Sequence, residues 1–530
     1  MNLNFDAIGL SIFSSRLASI CEQMGDVLKR TALSPNVKDR LDYSCAFFDE
    51  EGRIVSQAAH IPVHLGSMAY AMTSIVSGFK WCDGDVVVLN DPFLGGTHLP
   101  DVTMVSPFFF EGDLLGFVAN RAHHANIGSS SAGSMPLTRN LSEEGILISP
   151  VKLMSEGRFL PGIVSMLSAV DPCSNRTVLP GDFQAQVSSN QLGLKRLGVW
   201  LSRVSDPIAY FESGLQQINQ YGGAIMRDSL KALPDGVAQF HDVMDGDGFG
   251  VERVKIQLEL SVINNMLTFD FTGTDRQVEG NINCPISVCA AAVYYSVCCI
   301  LPDYIPHCHG VFRCIHIVAP EGCLVNAYPG AAVSSGNVET SMRLVDVVLG
   351  CLSKLGVNHI PAASHGTMNN VAVGGIVENK RWDYYETIGG GGGAGSNYPG
   401  LSASQCHMTN TLNTPVESVE LHYPLRINEY SLRSGSGGKG AKSGGDGIVR
   451  SYEFLEKTDV TVLSERRIIA PWGVLGGGKA EKGLNLFNNK EISGKCALTA
   501  SGGDLLTILS PGGGGWGQEI NSIAESCETE

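Results

Sequence analysis

No stretch of this chain clusters lysine and arginine among aromatic residues, and the formal net charge is −16. Phosphate backbones need clustered cations, so nucleic acid is not an expected partner. No apolar run reaches the roughly 20 residues that a membrane-spanning helix needs. The longest, Ile286 to Leu301, carries Ser287, Tyr294, Tyr295 and Ser296 and reads as a buried helix. Behind Met1 there is no basic stretch ahead of an apolar core, so neither an export signal nor a membrane partner is expected. No Cys-x-x-Cys pair occurs among the 15 cysteines. Thiols scattered through apolar segments such as Val297-Cys298-Cys299-Ile300 fit a reduced, cytoplasmic protein rather than a disulfide framework. A phosphate-cradling nucleotide loop is missing as well. Gly438-Lys439-Gly440-Ala441-Lys442-Ser443 comes near one, but Ala441 and Ser436 stand where such a loop needs glycine.

Charged residues are also scarce, at 17% against 43% hydrophobic, which implies extensive burial inside the fold or against other subunits. A chain of 530 residues holds several cores. Phe13, Leu17, Ile20, Met24 and Val27 recur at steps of three and four, predicting a first helix that Pro35 stops. Short strands follow at Tyr43 to Asp49 and Val86 to Leu89, then a second helical stretch from Ile208 to Leu230. The period-two segments Ile256 to Val262 and Leu267 to Phe271 flank Asn264-Asn265 and predict a hairpin. Residues 337–355 read as another buried helix. Together these predict a mixed α/β (α+β), multi-layer fold in three regions. They are an N-terminal α/β metal-binding region (1–205), a central α/β region (206–360) and a glycine-rich, β-rich C-terminal region (361–530).

Glycine is abundant, 63 residues, bunched at 389–395, 434–440, 476–478 and 512–517. Aromatic and charged residues flank two of these runs, Tyr384-Tyr385-Glu386-Thr387 and Trp516, where a tether would carry Ser and Thr. Ordered loops of closely approaching backbone are therefore expected.

The chemistry concentrates in Gly95-Gly96-Thr97-His98-Leu99-Pro100-Asp101 and Arg121-Ala122-His123-His124. Between them, Val102 to Val105 and Leu114 to Val118 read as strands around Glu111-Gly112-Asp113. Such a hairpin sets His98 and Asp101 at its entrance beside His123 at its exit. Imidazole nitrogen with carboxylate oxygen holds Zn²⁺, Mn²⁺ or Fe²⁺ and leaves a position open. Satisfied structural histidines are the bland alternative, and they are commoner for any single His. The second cluster, Pro306-His307-Cys308-His309 with Cys314 and His316, lacks a nearby carboxylate and is expected to be structural.

These two segments, with Gly280-Asn281-Ile282-Asn283, Gly336-Asn337-Val338-Glu339-Thr340-Ser341, Tyr384 to Gly391, Ser464-Glu465-Arg466-Arg467 and Pro511 to Gly517, resemble the hydantoinase B/oxoprolinase family from about Phe13 to Gly517. The resemblance implies the metal-binding catalytic B subunit of an ATP-dependent cyclic amide hydrolase acting on a hydantoin, lactam or 5-oxoproline. It implies a hetero-oligomer in which an A-type subunit binds ATP and phosphorylates the substrate carbonyl. The metal, Zn²⁺ or Mn²⁺, falls on His98, Asp101 and His123, with Asp42 as the fourth ligand and Asp39 the other candidate. His124 points away in an extended chain, so it is expected behind the ligands, and His124 or Asp39 is expected to move the proton. Asn126 stands where the family has Asp, and Leu137 to Gly145 also departs from its pattern. An acetone- or acetophenone-type ketone carboxylase would use the same ligands. A non-catalytic scaffold would instead need a closed, structural metal site.

Overall fold

The computed structural model describes residues 4–58, 60–170, 178–378 and 380–519. Residues 1–3, which bear on the expectation of no export signal, lie outside that range.

The chain opens with helix α1 (Ala7–Thr31), whose N-terminus is capped by Asp6 accepting from the Gly9 N–H at 2.7 Å. Lys29 and Arg30 complement the dipole at its other end. Phe13, Leu17, Ile20, Met24 and Leu28 are buried on one face, with Val27 half-buried at its edge. The helix ends four residues before Pro35, which starts a separate turn, Pro35–Lys38. The first sheet comprises β1 (Tyr43–Phe48), β2 (Ile54–Gln57), β3 (Val86–Leu89), β4 (Asp101–Phe110), β5 (Asp113–His123), β6 (Val151–Ser155) and β7 (Arg158–Phe159). Their order is β2-β1-β5-β4-β3-β6-β7 and all pairs are antiparallel. Helix α2 (Pro62–Ser77) covers one face, and α1 with α3 (Gly181–Leu201) the other.

Helix α4 (Pro207–Leu230) leads to a second sheet of β8 (Gly236–Gly246), β9 (Glu252–Ile263), β10 (Met266–Asp270) and β11 (Ile315–Val318), in the order β11-β10-β9-β8. Asn264 and Asn265 form the β9–β10 turn with φ of 52° and 60°, the left-handed pair a tight hairpin requires. Helices α5 (Ile286–Cys298) and α6 (Ser341–Leu355) are buried. At Gly66, a methyl group would lie 2.6 Å from Ala291 Cα, so only glycine lets α2 seat on α5. The helix expected over 337–355 starts instead as a π-type turn, Gly336–Thr340, which continues into α6.

The C-terminal part holds two sheets: β12 (Asn370–Val377), β13 (Lys380–Glu386), β16 (Thr458–Leu463) and β19 (Lys495–Ala500); and β14 (Leu425–Arg433), β15 (Gly447–Phe454), β17 (Leu484–Phe487), β18 (Lys490–Ile492) and β20 (Leu505–Leu509). The whole is a mixed α/β, multi-layer fold. The glycine runs are ordered and lie backbone against backbone. Gly392 N donates to Leu401 O at 2.7 Å, Gly513 N to Gly445 O at 2.9 Å and Gly515 N to Gly478 O at 3.0 Å. A methyl group on Gly513 would stand 1.9 Å from Gly392 O.

A buried ionic cluster joins the central and C-terminal parts. Arg466 Nη2 donates to Asp242 Oδ2 at 2.9 Å and Asp346 Oδ2 at 2.7 Å, Arg343 pairs with Glu465 at 3.2 Å, and Lys495 also pairs with Glu465. Among the described residues no helix is long and apolar enough to cross a membrane, and no cysteine is paired.

Candidate metal centre

The ends of three neighbouring strands build the site. Asp101 is the first residue of β4 and His123 the last of β5, and the register sets them directly opposite each other. Asp42 precedes β1, and its carbonyl accepts the His123 N–H at 3.0 Å. His98 reaches in from the turn before β4. Among the described residues, one cluster brings three such ligand atoms within 4.8 Å of one another, and it comprises His98, Asp101 and His123.

Asp101 is fully buried and crowded by nitrogen. Oδ1 lies 3.0 Å from His98 Nε2 and 3.1 Å from His123 Nδ1, while Oδ2 lies 3.1 Å from His64 Nε2. Thr97 Oγ1 donates to Oδ2 at 2.6 Å and Asn337 Nδ2 at 3.3 Å. Burial alone would raise the Asp101 pKa. His98 and His64, with the hydrogen bonds, outweigh it and hold the carboxyl well below the usual range. Burial pulls His98 down, but Asp101 and the Ser334 carbonyl reverse the sign and leave His98 raised. At His123 burial wins and the ring is more easily deprotonated than an exposed imidazole.

His98 Nδ1 faces Ser334 O at 3.2 Å, which assigns the proton to Nδ1 and leaves the lone pair on Nε2. His123 Nε2 is buried without a hydrogen-bond partner, and His98 Nε2 has only Asp101 Oδ1 beside it, outside hydrogen-bond geometry. Buried polar nitrogens without partners are costly. One bare imidazole nitrogen and a second that faces only an ionised carboxylate fit a divalent cation, which would supply the missing partner.

Asp42 stands one imidazole further out, its carboxylate 3.9 Å from His64 Nε2 and 3.9 Å from Arg40 Nη2. Asp39 is half-buried at the end of the Pro35–Lys38 turn, and its charge is felt by Tyr423. His124 faces away from the triad. Its Nε2 lies 2.9 Å from Gln186 Oε1, its ring packs on Phe183 at 4.3 Å, and burial lowers its pKa. His307 is exposed, with Cys298 Sγ 4.0 Å from Nδ1.

Three neighbours were not foreseen as site residues. His64 lies in an apolar helix, where a single histidine carries no signal. Asn337 and Tyr385 lie in segments that carry the family resemblance, and that was their only signal. Tyr385 stacks on His123 with centroids 5.0 Å apart and planes at 14°, and its hydroxyl donates to Asn370 Oδ1 at 2.6 Å.

A buried nitrogen-and-oxygen donor set on a multi-sheet α/β scaffold defines a protein with a candidate metal centre. The chain belongs to the hydantoinase B/oxoprolinase family, whose model matches residues 6–519. It is 37% identical over 539 residues to the 5-oxoprolinase of Dictyostelium discoideum, covering 98% of this chain and 41% of that protein. This chain therefore spans less than half the length of the 5-oxoprolinases it matches. The ATP-dependent caprolactamase from Pseudomonas jessenii superposes with a TM-score of 0.89 at 25% identity, over 97% of this chain and 92% of that one. Nucleotide-free acetone carboxylase superposes at 0.83 with 17% identity, over 96% and 76%, a likeness of fold alone.

Proposed function

We propose that this chain is the metal-binding catalytic component of an ATP-dependent cyclic amide hydrolase, opening a hydantoin, lactam or 5-oxoproline ring whose carbonyl oxygen an A-type partner has phosphorylated. The observation that carries this is the buried triad of His98, Asp101 and His123, whose ligand atoms lie within 4.8 Å of one another, with His123 Nε2 unpartnered. Relatives named 5-oxoprolinase and ATP-dependent caprolactamase support the substrate class. The one loop resembling a phosphate cradle is closed: Gly438 N donates to Gly513 O, Ala441 N to Gly517 O and Lys442 N to Trp516 O. ATP is accordingly assigned to the partner.

An amide carbonyl is a poor electrophile because nitrogen donates into it. Phosphorylation of its oxygen removes that protection and creates a leaving group. One water then adds at carbon, the C–N bond breaks as the ring nitrogen takes a proton, and a second water splits the resulting acyl phosphate into carboxylate and phosphate. A divalent ion, Zn²⁺ or Mn²⁺, supplies Lewis acidity toward water and the carbonyl oxygen when held by His98, Asp101 and His123, with Asp42 as the fourth candidate. Asp101 keeps its negative charge at neutral pH through the surrounding imidazoles. His64 Nε2 lies 3.1 Å from Asp101 and 3.9 Å from Asp42, which places it between the two carboxylates. The Tyr385 ring covers one face of His123 and keeps solvent from it.

The test is co-purification with an A-type subunit, followed by ATP with 5-oxoproline, hydantoin or caprolactam. Ring opening matched mole for mole by phosphate release is expected, lost in His98→Ala while the partner still binds ATP. Ring opening independent of ATP, or full turnover in His98→Ala, would overturn the assignment.

A further inference from the structure

Glu144 touches none of the three ligands, yet its contacts lead to one of them. It is fully buried just after a single helical turn, Leu141–Glu143, inside the segment that departs from the family pattern. One carboxylate oxygen, Oε1, accepts three hydrogen bonds: the Val333 N–H at 2.9 Å, the Ser334 N–H at 3.0 Å and Thr138 Oγ1 at 3.1 Å. The other oxygen, Oε2, has no partner. The carbonyl of that same Ser334 faces His98 Nδ1 at 3.2 Å. A separate anchor comes from Asn281, whose Nδ2 donates to Ser334 Oγ at 2.9 Å and to Pro136 O at 2.6 Å. Three residues further on, Asn337 donates to Asp101. Residues 333–337 thus form a short brace behind the centre, touching His98 at one end and Asp101 at the other.

An imidazole presents its lone pair inward only while the opposite nitrogen keeps its proton on a fixed acceptor. Ser334 O is that acceptor, and its direction is set by the flanking peptide units that Glu144 grips. We infer that Glu144 is a positioning residue, which fixes the tautomer and aim of His98 through the Ser334 peptide and thereby sets the affinity of the centre for its metal. Burial also pushes the Glu144 carboxyl up to about 7, and its charge reaches His98. The brace does not depend on ionisation, because Oε1 accepts hydrogen bonds in either state. The inference rests on the metal centre proposed above.

The experiment measures Zn²⁺ affinity of the purified full-length chain by competition with a chromogenic chelator, alongside thermal unfolding of the metal-free protein. Loss of a group that orients a ligand typically weakens metal binding about 10–100-fold. That loss is expected for Glu144→Ala with the fold retained. Glu144→Gln keeps an acceptor oxygen in place and is expected to restore affinity to within about threefold, which general destabilisation would not do. Asn281→Ala removes the second anchor on Ser334 and is expected to show a smaller loss in the same direction. If Glu144→Ala does not fold, Asn281→Ala decides: unchanged affinity there overturns the inference. Tight binding in the wild type, lost in His98→Ala but intact in a folded Glu144→Ala, overturns the role of Glu144 alone. Equal affinity in the wild type and His98→Ala overturns the metal centre itself.

Discussion

Two clusters of fully buried carboxylate sit in this chain and are neutralised in different ways. Around Asp242, Asp346 and Glu465 the partners are chiefly the permanent cations Arg343 and Arg466 with Lys495, and one imidazole, His407, whose Nε2 lies 3.6 Å from Asp346 Oδ1. Around Asp101 they are His64, His98 and His123. A guanidinium keeps its proton at every accessible pH and has no lone pair to offer, so two permanent cations dominate the first cluster. An imidazole can release its proton and turn the freed nitrogen toward a cation. The same burial therefore yields a rivet in one place and the proposed metal ligands in the other. Burial and negative charge do not by themselves mark a functional site; three imidazoles converging on one carboxylate distinguish the Asp101 cluster.

Breaking the rivet is expected to give the largest effect. Arg466→Ala strands Asp242 and Asp346 without their shared donor and should cost about 3–5 kcal/mol of stability. Urea unfolding measures it, and a variant as stable as the wild type would erase the contrast. Next, His98→Ala or His123→Ala should remove metal and lower turnover by at least about 100-fold, roughly 3 kcal/mol of lost transition-state stabilisation. Elemental analysis and the coupled assay read both quantities. Unfolding of the metal-free chain should shift far less than in Arg466→Ala, and a comparable loss of stability would make the centre a second rivet.

Glu339 lies between the clusters and sharpens the comparison through pH. Its Oε1 accepts from Met368 N at 2.9 Å and Asn370 Nδ2 at 2.7 Å, and burial raises its carboxyl to about 7. The folded state holds a proton there that the unfolded chain releases near its ordinary pKa of 4.5. Its stabilising contribution is full below that value and is lost as pH rises through about 7. Glu339→Gln stays neutral, so it should gain on the wild type by on the order of 2 kcal/mol between pH 5 and 8. Urea midpoints at both pH values test this, and a difference independent of pH would refute it. The smallest effect is expected for His307→Ala. That exposed ring should leave metal content unchanged and stability within about 0.5 kcal/mol. Loss of metal there would move the centre to the wrong cluster.

The hairpin at the heart of the site was legible because its code is local. Glu111-Gly112-Asp113 marks the turn and brings the segments of Asp101 and His123 together, while their exact pairing depends on a one-residue register shift between Phe108 and Phe109, without which Ala122 would face Asp101. The α1 stripe and the Asn264-Asn265 turn were legible for the same reason. His64 was not, because Pro62-Val63-His64-Leu65 reads as an apolar helix start, and only the packing of α2 against the sheet turns its ring toward Asp101. Tyr385 reaches His123 across a separation of 262 positions in the sequence, and no pattern in either segment announces the pairing. His124 was expected behind the ligands, and it lies against α3; Gln186, its partner there, comes from a helix whose register the strand pattern does not encode.

The glycine seams have a consequence for anyone who maps this protein by saturation mutagenesis. At Gly391, Gly393, Gly444 and Gly513 even alanine would drive a methyl group to within 2 Å of a carbonyl oxygen. No rotamer can relieve such an overlap, because what blocks it is main chain. Where growth is made to depend on this protein, a fitness landscape over these codons is expected to show a band of loss as deep as the one over His98 and His123. The two bands will separate only when abundance is scored beside growth: seam variants vanish from the cell, whereas ligand variants accumulate as intact, idle protein.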